Sequence, residues 1–111
     1  MESLTYPRMI LPEDFDERAA FEITMKGWLS AEVEVEGGYR YPVFFYDPVR
    51  LQQDLESEIK FGAPCLAEAG LVVLPEVTVE AAQRAIQHLY QKGFFARFKP
   101  SQSELKRSLA A

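Results

Sequence analysis

The chain has 111 residues, 48% of them hydrophobic, enough for one core without staples, and its lone cysteine, Cys65, excludes a disulfide framework and any multi-cysteine metal site within one chain. Its net charge of −5 is uneven: residues 1–36 carry nine acids against three bases, residues 37–83 seven against three, and residues 84–111 one against six. That balance argues against a general nucleic-acid binder, whose phosphate contacts need a basic face; with no apolar run of about 18 residues and no basic-then-apolar leader, we expect a soluble, cytoplasmic protein without membrane or nucleic-acid partners.

Residues 1–18 read as a lead into the domain, and "RMIL" within them is either an edge strand or part of a disordered segment. From position 21 the odd residues Phe21, Ile23, Met25, Gly27, Leu29, Ala31, Val33 and Val35 alternate with a mostly polar even set. A period of two predicts strand, and its fifteen-residue length predicts a bend at Gly27 or two strands sharing one parity.

Gly37-Gly38 turns the chain. A two-residue loop would put Tyr41 beside Glu34 on the polar face, whereas a three-residue loop, Glu36-Gly37-Gly38 with Gly38 left-handed, pairs Val35 with Tyr39, Val33 with Tyr41, Ala31 with Val43 and Leu29 with Phe45. The second register buries the aromatic residues and sets Glu34 opposite Arg40, so it is the expected one. It leaves Trp28, Phe44 and Tyr46 together on the even-parity face, with Glu32, Glu34 and Arg40 at the tip. Pro42, which has no N–H, predicts a local gap in pairing.

"DPVRLQQDLESEIKFG" reads as a core-facing helix: Asp47 caps it, Pro48 suits its first position, Gly62 stops it, and Leu51, Leu55 and Ile59 stand four apart. "GLVVLP" is a short strand. Thr78 caps a second helix, "VEAAQRAIQHLYQKG", with Gly93 just beyond its end, and "FFARF" reads as a last strand. Although "KGFFARF" shares its opening with the aromatic strand of RNA-recognition domains, Phe95 stands where a small residue belongs and the element order is wrong, so a core strand is preferred. "SQSELKRSLA" carries a capping box and reads as a short terminal helix or a frayed tail over residues 100–111.

The expected architecture is α/β of the α+β kind: a two-layer sandwich over residues 19–99, with a mixed sheet of four or five strands, a long hairpin, and the helices of residues 48–61 and 78–92 packed on its odd-parity face. Its element order is ββαβαβ plus the terminal helix.

Candidate chemistry is sparse. His88 is the only histidine and falls on the polar side of its helix; Cys65 lies in a small-residue loop and reads as a packed, inert thiol. No cofactor or metal site is expected. Asp47, Arg50, Glu76 and Thr78 would gather where two parallel strands end, a place where α/β sheets bind ligands if the strand order reverses there, but Asp47 and Thr78 are also natural helix caps. The preferred reading is a non-enzymatic interaction or assembly domain, a homodimer or a subunit of a larger assembly, with Trp28, Phe44 and Tyr46 at the contact. A small-molecule or anion-binding regulatory domain, or a minor enzyme, acting at Asp47, Arg50, Glu76 and Thr78 is the alternative.

Overall fold

The computed structural model describes residues 6–97. The expected class is present: a mixed four-stranded sheet in the order β1-β2-β3-β4, with three helices in the α/β class. In chain order the elements are β1 (Arg8–Ile10), α1 (Glu17–Lys26), β2 (Trp28–Glu34), β3 (Arg40–Tyr46), α2 (Pro48–Lys60), β4 (Leu71–Val73) and α3 (Val79–Gln91), followed by a 3-10 turn over Phe94–Arg97.

The hairpin has the register of the three-residue loop. Glu34 faces Arg40, Val33 faces Tyr41, Ala31 faces Val43 and Leu29 faces Phe45, while Val35 N–H donates to the Tyr39 carbonyl at 2.9 Å beyond the strand ends. Both loop glycines take positive φ, 89° at Gly37 and 80° at Gly38, values that side chains with a Cβ rarely adopt. Pro42 pairs with Glu32 in the hairpin, and on its other side the ladder with β4 begins only at Phe44, so the strand is locally unpaired on one side there, as expected, among the described residues. β1 adds antiparallel to the tip, with Arg8 opposite Glu34. "RMIL" is therefore an edge strand for its first three residues.

The long alternation is not one strand. Residues 17–26 are helical: Asp16 caps α1 by accepting from Ala19 N–H at 2.9 Å, and Gly27, at φ 71°, closes it by donating to the Ile23 carbonyl. The chain does break at Gly27, but into a helix and a strand. Ile23 is buried whereas Phe21 and Met25, which the alternation placed with it, stand exposed. The helix uses Ala19, Ala20, Ile23 and Thr24 as its inner face, one and three to four residues apart, and Thr24 Oγ1 donates to the Val77 carbonyl at 2.9 Å.

The core lies on the odd-parity face. Leu29, Ala31, Val33, Tyr41, Val43 and Phe45 are buried there against Ile23 of α1, Ala82 and Ile86 of α3, and Leu74, Val77 and Phe95. Two helices thus supply this face, but they are α1 and α3, where α2 and α3 were expected. Residues 94–97 form a 3-10 turn in place of the expected strand: once Gly93 (φ 77°) ends α3, Phe95 is held under the sheet 5.8 Å from the Tyr41 ring and edge-on to Phe94. Phe98 and the expected terminal helix over 100–111 lie outside the described residues. β3 and β4 are parallel, as expected for a strand–helix–strand unit, with Phe44 beside Leu71 and Tyr46 beside Val73.

Candidate interaction surface

The even-parity face of the hairpin has two ends of opposite character. At the tip Glu34 is a buried carboxylate between two arginines directly across the ladder: Arg8 donates to it at 2.6 and 3.0 Å, and Arg40 lies 3.5 Å from its other oxygen and 3.8 Å from Glu32. The Arg8 hydrogen bond holds the Glu34 carboxyl below the usual carboxylate range, against burial, which raises it, and with further lowering from the charges of Arg8 and Arg40. This end is satisfied within the chain.

At the base Trp28 stands opposite Tyr46, with Phe44 opposite Ser30 one pair further on. Tyr46 is buried at 4% exposure, and Trp28 and Phe44 are half-buried. Burial pushes the Tyr46 phenol up, and the Trp28 indole, donating toward its oxygen, draws it down; Glu68, Asp54 and Arg50 are the charges that surround it.

The contacts of α2 are polar. Asp47 caps it, its carboxylate accepting from Arg50 N–H at 2.7 Å, and Arg50 in turn reaches Asp54 at 2.9 Å and the Lys26 carbonyl at 3.2 Å. Asp47 also closes on Gly27, where a Cβ would overlap its carboxylate, so the end of α1 and the start of α2 are locked together. The caps and boundaries match expectation, but α2 is not core-facing: it contains no buried residue. Of its stripe, Leu51 is half-buried, Leu55 37% exposed and Ile59 55% exposed, and Phe61 just past its end is 83% exposed. The spacing of four did mark the apolar side of this helix. What spacing cannot encode is which side the neighbouring strands approach.

The other candidate group is drawn into structural duties. Asp47 and Thr78 cap α2 and α3, Thr78 accepting from Ala81 N–H at 3.0 Å, and Arg50 is paired as above. Glu76 is exposed. β3 and β4 do end on the same edge, but they are neighbours in an order that runs without reversal, so the crevice found at switch points does not arise between them. His88 and Cys65 are exposed, the thiol contrary to the packed position expected of it. Among the described residues no cluster of His, Cys, Asp and Glu could hold a metal ion, and no helix is long and apolar enough to cross a membrane.

No family model, curated protein or solved structure matches this chain.

Proposed function

We propose that the protein is a non-enzymatic assembly domain that pairs with a second copy of itself through α2 and the adjoining base of the even-parity face. The observation that carries this reading is that α2, an amphipathic helix of thirteen residues, buries none of them. An isolated helix this short is marginal in water, and most helical stability in proteins comes from burying an apolar stripe. Leu55 and Ile59, with half-buried Leu51, form such a stripe. Exposed Val73 extends the apolar surface at the sheet edge beside Tyr46, and half-buried Phe44 and Trp28 lie on the same face. An exposed apolar stripe along a helix is a patch, uncommon on monomers, whereas scattered single residues are not. A stripe at i, i+4, i+8 is complementary to its own image about a two-fold axis, which favours a second copy as the partner.

The test is sedimentation equilibrium of the wild type and of a Leu55→Glu/Ile59→Glu double variant. The wild type should sediment as a dimer and the variant as a monomer, with unchanged circular dichroism and melting temperature of the monomer, because neither side chain is buried within the chain. A Trp28→Gln/Phe44→Gln variant should weaken the dimer as well. A wild type that stays monomeric at the highest concentration reached would overturn the reading, as would a double variant that remains dimeric.

A further inference from the structure

We infer that the free edge of β2 at Trp28 and Ser30, together with the cavity beside it, takes up an extended basic peptide of another protein as an added strand in line with β1. This edge is separate from α2, and the inference does not depend on self-association.

The hydrogen-bonding direction of β2 follows from its partner. Val35 N–H donates to Tyr39 O and Asp47 N–H to Gly27 O, both at 2.9 Å, so the odd-numbered residues of the strand exchange bonds with β3. In an antiparallel ladder the intervening residues then direct their N–H and C=O groups to the opposite side. For Glu34 and Glu32 that side is filled by Arg8 and Ile10. Continuing the register would put Pro12 opposite Ser30, but Pro12 has no N–H to give, and its carbonyl accepts from Phe15 N–H at 3.0 Å as the chain turns away toward α1. Among the described residues no backbone group takes its place at Ser30 or Trp28.

The space left by that turn is a cavity of about 290 Å³ between the strand edge and α1. Phe15, Ala19 and Ile23 give it an apolar wall. The volume is at the lower end of the roughly 300–1,000 Å³ typical of small-molecule sites, and suits one apolar side chain with its flanking backbone. Unpaired strand edges recruit extended segments through main-chain bonds, and a pocket for alternate side chains supplies selectivity. The charge of the walls selects a flank: Glu22 is held between Arg18 at 3.3 Å and Lys26 at 3.7 Å, whereas Asp14, which also lines the cavity, has no cation paired with it among the described residues. A basic residue beside the apolar one, on the Asp14 side, is therefore favoured.

The experiment uses amide NMR of the full chain with capped peptides Lys-Thr-X-Thr-Lys, where X is Val, Leu or Phe, against the same peptides with Glu at both ends and with alternate backbone nitrogens methylated. Binding of a Lys-flanked peptide should shift the Trp28 and Ser30 amides and slow their exchange. Affinity should fall about tenfold or more on methylation, the scale of one lost backbone bond, and likewise for an Ala19→Phe variant that fills the cavity. The Leu55→Glu/Ile59→Glu variant should bind as the wild type does. Four results would overturn the proposal: no shift with any of the three Lys-flanked peptides at about 1 mM; equal binding of the Glu-flanked set; equal binding after methylation, which would mark an apolar cavity only; or, in the Leu55→Glu/Ile59→Glu variant without peptide, protection of Trp28 and Ser30 that depends on protein concentration, which would mark a second copy at this edge.

Discussion

Replacing Gly70 with alanine should destabilise the protein more than the same change at Gly62, although both residues have positive φ, 86° and 99°. Alanine with a left-handed backbone costs about 1–2 kcal/mol relative to glycine, and at Gly62 this is the whole effect because an added Cβ would meet nothing within 4 Å. At Gly70 the Cβ would overlap the Pro42 carbonyl oxygen and come within 3.2 Å of its carbonyl carbon and 3.4 Å of Val43 Cα. These are backbone atoms of β3, a strand fixed on both sides, so they cannot rotate away as a side chain would. Relief requires β4 to move off, which breaks the 2.9 Å bond from Phe44 N–H to the Gly70 carbonyl and costs about 1 kcal/mol more, before any loss of packing at Leu74. We expect about 2–3 kcal/mol for Gly70→Ala, with any packing loss in addition, against about 1–2 kcal/mol for Gly62→Ala. Equilibrium urea unfolding measures both, with equal m-values required for the comparison. Equal losses at the two glycines would refute the reasoning, since the close approach of β4 to Pro42 would then carry no energy.

Two further predictions concern ionisable groups of the hairpin. Because Arg8 depresses the Glu34 carboxyl below its ordinary value of 4.5, the pair contributes stability at pH values above about 4.5 that is lost as pH falls through the folded-state pKa; Glu34→Gln should flatten that acid limb of the urea midpoint against pH, and an unchanged limb would contradict the ladder. Tyr90 on α3 donates to Glu36 in the hairpin loop, a bond that raises the phenol and lowers the carboxyl. Its contribution is present below about pH 10 and lost as pH rises through the phenol's raised pKa. Tyr90→Phe should move the Glu36 titration back upward in carboxyl NMR and speed exchange of the Gly37 and Gly38 amides, whereas an unmoved Glu36 would show that the bond does not form in solution.

The parts of the fold legible in the sequence are those where a local rule has one physical solution. The hairpin register follows because a slip of one residue would move Tyr41 and Val43 to the polar face beside Glu34 and Glu32, and the boundaries of α2 and α3 follow from Asp47, Thr78 and the glycines after them. The segment 21–26 misleads because Phe21, Ile23 and Met25 satisfy a period of two while only Ile23 is used. A helix was signalled there by Asp16 as cap, the Ala19-Ala20 pair and Gly27 as stop, and these terminal signals outweighed the alternation. At 94–97 the aromatic run specified burial but not conformation: Phe95 reaches the core equally well from a 3-10 turn. The aromatic trio at the base of the hairpin was legible as a face. That Tyr46 would be buried while Trp28 and Phe44 stay half-buried was not, because it depends on how elements distant in sequence settle on that face.

This division separates the groups that hold the fold from those offered to partners. Val33, Val43 and Phe45 are each wholly buried, and the cost of removing any of them is paid in stability. Leu55, Ile59 and the outward-facing backbone of Ser30 lie outside that core, so changing them leaves the strongly buried contacts in place. The shifts at Glu34, whose partners are the arginines of adjacent strands, and at the Glu36–Tyr90 contact, which ties the loop to α3, have structural explanations. The surplus that the fold does not use is apolar surface on α2 and an unpaired strand edge. Both are means of binding other polypeptides, and the two proposals above rest on them.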